Sequence, residues 1–164
     1  MINHSKQACL PSLLVGSRQG ITVIELLIVI AVLGIIFSIT IPQFSKMREN
    51  QVLKSTVSDI VSSLKKAQSQ TLASLNSSSY GVHFQFDKVI IFKGTVFSAG
   101  DTNNKTISIV TPASISNIAL LGGGSDFYFN RLSGSPNITG TVTVSTTSYS
   151  KIITISATGV ASVN

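Results

Sequence analysis

Few residues in this chain are of the types that do chemistry. Two histidines, six acids and one cysteine are spread over 164 residues. His83 comes first, in the alternating stretch "GVHFQF". A catalytic histidine needs a nucleophile and an orienting acid beside it. Serines are abundant, but none stands in the strained strand-to-helix turn that exposes a nucleophile. An exposed strand histidine is the expectation. The acids Glu25, Glu49, Asp59, Asp87, Asp101 and Asp126 are too scattered to suggest a carboxylate pair or a calcium loop. Cys9 stands alone, so no intramolecular disulfide is available, and no Cys/His cluster has zinc-ligand spacing. Gly122, Gly123 and Gly124 lack the lysine and the strand–helix context of a phosphate-binding loop. No enzymatic activity, metal or cofactor is expected from these residues.

Glu25 is the exception, because of where it lies. From residue 21 to residue 41 it is the only charge in "ITVIELLIVIAVLGIIFSITI". As a helix this run is about 31 Å long, which matches a hydrocarbon core of about 30 Å. A transmembrane helix is therefore expected. A secretory signal has a shorter apolar region followed by a small-residue cleavage site, and no such site follows here. An acid in a spanning segment is expensive and usually has a partner. Within this helix there is no Lys or Arg to serve. Two explanations stand side by side. Glu25 can snorkel to the interface, being five residues into the run. Or it can meet a cation from elsewhere, such as the α-amine that a cut after Gly20 would place on Ile21. Lys6 and Arg18 on one side and Lys46, Arg48 and Lys54 on the other leave orientation undecided by charge.

"G-ITVIELLIVIAVLGII" resembles the class III signal of type IV prepilins and type II secretion pseudopilins. Its pattern is Gly, an apolar residue, Thr or Ser, two residues, Glu, then an unbroken apolar run. Gly20, Ile21, Thr22 and Glu25 fall on it in order, and Pro42 stands where such proteins commonly carry a helix-bending proline. The resemblance implies that a membrane prepilin peptidase cuts between Gly20 and Ile21 and methylates the Ile21 amine. Residues 1–20 would be the leader. The helix would anchor the subunit in the bacterial cytoplasmic membrane, single-pass, with the C-terminal part outside. In a filament, Glu25 would neutralise the amine of a neighbouring subunit. Ile21 in place of the commoner Phe and a long leader containing "LPSLLVG" are departures from the pattern.

Beyond Pro42, which cannot donate a backbone hydrogen bond and should kink or locally melt the helix, a new pattern begins. Leu53, Val57, Ile60, Leu64, Ala67, Thr71 and Leu75 recur every three or four residues, with Lys54, Ser58, Asp59, Ser62, Lys65 and Lys66 between them. That spacing predicts an amphipathic continuation over residues 42–75, its Lys65–Lys66 pair on a solvated face. "NSSS" then breaks the helix. "YGVHFQF" and "KVIIFKG" read as a hairpin, followed by "KTISIV", "SISNIAL", "DFYFN", "TVTVSTT" and "KIITISA". Residues 76–164 are expected to form a β-rich extracytoplasmic domain, an antiparallel sheet with its core on one face. The fold class is α+β: a long N-terminal helix, half in lipid and half packed on an antiparallel sheet.

This layout, with "SLKKAQSQTLAS" on the helix and "FYFNRLSGS…IITISATGVASV" at the end, is similar to the GspH/FimT group of minor pseudopilins. That group commonly ends in an F-x-x-x-G-like strand and turn and an I-x-I-x-x-x-G-like strand pair. Phe129, Gly134, Ile153, Ile155 and Gly159 fit it loosely. The resemblance implies a subunit of a type II secretion pseudopilus or a type IV pilus. Its partners would be the prepilin peptidase, other pilin-like subunits, the membrane and secreted proteins. Capture of DNA is the alternative. The net charge is +6, carried in ones and twos along the chain. Lys88, Lys93, Lys105, Arg131 and Lys151 would supply phosphate contacts, with Tyr128 or Tyr149 stacking on bases. Some members of the FimT branch bind DNA through basic residues near the C-terminus, whereas nothing basic follows Gly159 here.

Overall fold

The computed structural model describes residues 20–164. The leader assigned to residues 1–20, with Cys9, falls outside the described residues except for Gly20. Two compact units divide at Thr40–Ile41.

One helix, α1, runs from Val23 to Leu72. Thr22 starts it: its hydroxyl accepts the Glu25 amide at 3.3 Å and its carbonyl accepts the Leu26 amide at 3.1 Å. A threonine in this place satisfies one of the amide donors that every helix leaves unpaired in its first turn. Pro42 lies inside the helix without interrupting it, so the expected local melting does not occur. Thr40 turns its hydroxyl back onto the Ile36 carbonyl at 3.1 Å, which hides that polar group within the helix.

In the unit from Ile41 onward, α1 buries the stripe that the spacing predicts, Leu53, Val57, Ile60, Leu64, Ala67 and Thr71. Leu75 leaves the stripe and is exposed, because α1 stops at Leu72 and Ser74 adopts a left-handed conformation. A short 3-10 turn, Leu75–Ser77, follows. Thr71 marks the return of the chain: its hydroxyl accepts the Tyr80 amide at 2.9 Å and donates to the Ala67 carbonyl at 2.9 Å.

Eight strands follow: β1 (Tyr80–Phe84), β2 (Lys88–Lys93), β3 (Lys105–Ser108), β4 (Ser114–Leu120), β5 (Asp126–Tyr128), β6 (Gly140–Ser145), β7 (Ser150–Ile155) and β8 (Ala161–Val163). They form two four-stranded sheets, ordered β3-β2-β1-β5 and β4-β6-β7-β8, with every pairing antiparallel. Two sheets replace the single sheet expected from the sequence. The chain leaves the first sheet at β4, returns to its far edge with β5, and completes the second with the β6–β7–β8 meander. Both sheets and α1 share one core, with Val82, Val89 and Phe127 from the first sheet and Val142, Val144 and Ile153 from the second. A buried aliphatic side chain contributes about 1.5–3 kcal/mol, against about 1 kcal/mol for a hydrogen bond such as Thr71–Tyr80. Apolar burial therefore holds α1 on the sheets, and the polar ties fix where the strands begin.

At β1 and β2 the first sheet is covered on both faces. Val89 and Ile91 face α1, while Ile90 and Phe92 lie on the outer face and are also buried. Phe97, from the loop after β2, covers that face and meets Phe92 edge-on at 5.6 Å.

Candidate functional site

Gly20, Ile21 and Thr22 lie just before α1, and Glu25 lies in its first turn. Gly20 and Ile21 precede the helix and are exposed. Glu25 sits in the first turn, two residues after the helix begins. There its carboxylate faces the positive end of the helix dipole, an environment favourable to an anion. Thr22 and Glu25 together also have the spacing of a helix capping box, of which the Thr22 hydroxyl to Glu25 amide half is formed. The T-x-x-E part of the motif thus has a local physical role, legible in the sequence as an N-terminal signature. No salt bridge to Glu25 exists among the described residues.

From Ile21 to Met47 every large apolar side chain is exposed, Ile21 at 75% and Phe44 at 72%. The helix is long and apolar enough to cross a membrane. An exposed apolar surface of this extent is compatible with lipid or with neighbouring helices around it.

No family model, curated protein or solved structure matches this chain.

The five C-terminal residues picked out in the sequence converge. Phe129, Ile153 and Ile155 are core residues, exposed by no more than 2%. Gly134 and Gly159 are buried in turns with φ of 65° and 82°. Gln68 on α1 ties the two turns, donating from Nε2 to the Gly134 carbonyl at 2.9 Å and to the Thr158 carbonyl at 3.4 Å. A Cβ on Gly159 would meet that amide and the Gly134 carbonyl. These residues form a structural clasp between helix and C-terminus. Gln68 was not foreseen, because a polar residue beside the apolar stripe carries no sign of its distant partner.

The basic residues are dispersed. Lys88 and Lys93 stand at opposite ends of β2, Lys105 begins β3, Arg131 lies in the loop after β5, and Lys151 lies on β7 of the other sheet. Lys93 has Asp101 as an electrostatic neighbour, whose carboxyl lies below the usual range chiefly through hydrogen bonds from Asn103. Tyr149 is exposed in the β6–β7 turn. Lys105 instead approaches Lys66 of α1, and the pKa of Lys66 is lowered by that contact and by the like charge. So Lys66 lies on an exposed face as expected, and it also has a cationic neighbour that its sequence position does not reveal.

His83 is largely buried, with a side-chain exposure of 13%, against the exposed strand position expected. Phe97 stacks on its ring at 3.9 Å and nearly parallel, at 6°. Gln85 approaches Nε2 at 3.2 Å and Asp126 lies 3.7 Å from Nδ1. The covering loop, absent from any strand pattern, accounts for the difference.

Proposed function

We propose that this protein is a membrane-anchored, pilin-like minor subunit that works by assembly. The observation that carries this is the exposed apolar first half of α1 with one acid, Glu25, in its opening turn, continuing into a helix that carries a folded β domain. Cleavage after Gly20 gives Ile21 a free amine. In an assembly the Glu25 carboxylate of one subunit takes the amine of a neighbour, which compensates the cost of holding both in an apolar helix bundle. Axial register follows from that pairing. Pro42 leaves the Ser38 carbonyl without its helical donor, a place for the helix to yield during assembly. The β domain then faces outward, toward secreted cargo or other tip subunits, in a secretion pseudopilus or a type IV pilus.

The test is Glu25→Ala in the full chain expressed with its assembly machinery. Membrane insertion should be unchanged, since the substitution makes the run more apolar. Incorporation into sheared filaments or cross-linked oligomers should fall more than tenfold, because breaking a buried ion pair costs about 3–5 kcal/mol. Normal incorporation would sink the register mechanism.

A further inference from the structure

β3 is the open edge of the first sheet, paired on one side only, with β2. Its free edge has a defined chemistry. The Ile109 amide bonds the Asp87 carbonyl at 2.8 Å, which fixes the alternation of the antiparallel ladder. The backbone groups of Thr106 and Ser108 therefore point away from β2, as donors and acceptors without a strand partner among the described residues. The side chains of Lys105 and Ile107 share the face of Ile91 and Val89, their partners on β2, and so turn toward α1.

Along this edge the helix does not close against the strand. Two adjoining cavities fill the seam. One, of about 160 Å³, is mainly apolar and is bounded by Val52, Ile60, Val89, Ile107 and Ile109. The next, of about 200 Å³, is bounded by Ser62, Lys66, Lys105 and Ile107. Asp59 borders both, yet no ion pair joins it to either lysine among the described residues. Two ammonium groups from different elements thus converge at one end of an apolar trough beside unpaired strand backbone.

We propose that this seam docks an extended acidic segment of a partner protein, which adds antiparallel to β3 and places a carboxylate between Lys66 and Lys105. The sheet's other pairings are all antiparallel, and an added strand continues them. Its residues opposite Ile109, Ile107 and Lys105 fall on the helix side, where cross-strand side chains approach most closely. The motif is therefore apolar-x-apolar-x-acid, read from N to C. Backbone hydrogen bonds supply affinity and the alternate side chains supply specificity, as in other strand-addition complexes. An edge lysine ordinarily discourages pairing. Here the pair rejects neutral and basic strands and admits an acidic one. Neither Glu25 nor the membrane half of α1 enters this mechanism, so it stands or falls separately from the filament reading.

The experiment uses the full chain in detergent micelles and a fluorescent nonapeptide whose central residues read Ile-Thr-Val-Thr-Glu, followed by anisotropy. Saturable binding is expected, weakened at least tenfold when the peptide's Glu is replaced by Lys or its order is reversed. Thr106→Pro removes the outward N–H while sparing the bonds to β2, a substitution edge strands accept, and should also cost at least tenfold. The double variant Lys66→Glu/Lys105→Glu should reverse the preference and bind the Lys peptide better than the Glu peptide. Failure of that reversal, or binding indifferent to Thr106→Pro in a variant with an unchanged circular dichroism spectrum, overturns the proposal. Absence of peptide binding, with a DNA oligonucleotide held instead through Lys66 and Lys105, overturns it in favour of a nucleic-acid site.

Discussion

Gly159 offers the sharpest test of how the C-terminus is held. Its φ of 82° lies in the region that a side chain disfavours, and a Cβ would press on the Gln68 amide and the Gly134 carbonyl. Gly122 has a similar φ of 96° but nothing within 4 Å of its would-be Cβ. Gly122→Ala should therefore cost only backbone strain, about 1–2 kcal/mol, less the roughly 0.4–1 kcal/mol regained by restricting the unfolded chain. Gly159→Ala carries that same cost plus overpacking of about 1–3 kcal/mol, since one of the two obstacles is backbone and cannot swing aside. For a chain of this size, the added cost corresponds to a melting temperature lower by roughly 2–4 °C per kcal/mol than that of the Gly122 variant. Urea or thermal unfolding followed by tyrosine fluorescence measures both. The cycle is completed with Gln68→Ala, which frees the space. In the Gln68→Ala background, Gly159→Ala should cost at least 0.5 kcal/mol less than in the parent, a coupling of the size expected for touching residues. Strict additivity, or equal penalties at Gly122 and Gly159, would refute the clasp.

Three further outcomes follow from contacts elsewhere. Phe97→Ala should uncover His83 and Phe92, raise the rate of His83 modification by diethylpyrocarbonate, and destabilise the domain by about 1–3 kcal/mol, within the usual range for a lost side chain; an unchanged modification rate would mean that the loop does not shield the ring. Lys66 has its pKa lowered from 10.5 by Lys105. The unfolded chain therefore holds its proton to higher pH than the folded one, and stability should rise as pH climbs from the lowered folded value toward 10.5. Both groups are solvent-exposed, so the rise is small and shrinks with salt; titration by NMR of dimethylated lysines should show the Lys66 value move back up in Lys105→Gln. Deleting the gene in its native host should alter either the set of secreted proteins or the surface filaments, and no change in both would count against a pilin-like role.

The helical part of the fold was legible because its signals are local. An apolar run of membrane length and a stripe at helical spacing both survive folding, down to Leu53, Ile60 and Leu64 as core residues. Seven of the eight strands were legible for the same reason, most of them marked by alternation, whereas β8 (Ala161–Val163) was not among the expected segments. What alternation does not encode is which strands share a sheet. β4 lies between β3 and β5 in sequence and belongs to neither neighbour's sheet. Nor does it show a face covered by a loop. Val89, Ile90, Ile91 and Phe92 form a continuous apolar run because α1 lies on one side of β2 and Phe97 packs against the other.

The sites divide along the same line. Gly20, Ile21, Thr22 and Glu25 are neighbours in sequence, so a pattern of types singles them out, and of these Thr22 takes a helix-capping place. Lys66 and Lys105 are 39 positions apart in the chain, and neither is unusual where it stands. Only the register of β3 on β2, with Lys105 opposite Ile91, turns the lysine toward the helix instead of toward solvent. A shift of that register by one residue would send Lys105 and Ile107 to the outer face and bring Thr106 and Ser108 to the seam. The charge pair and the apolar trough would vanish together. Both depend on one alignment of a four-residue strand, so substitutions that move β3 on β2 should abolish peptide docking even where every seam residue is intact.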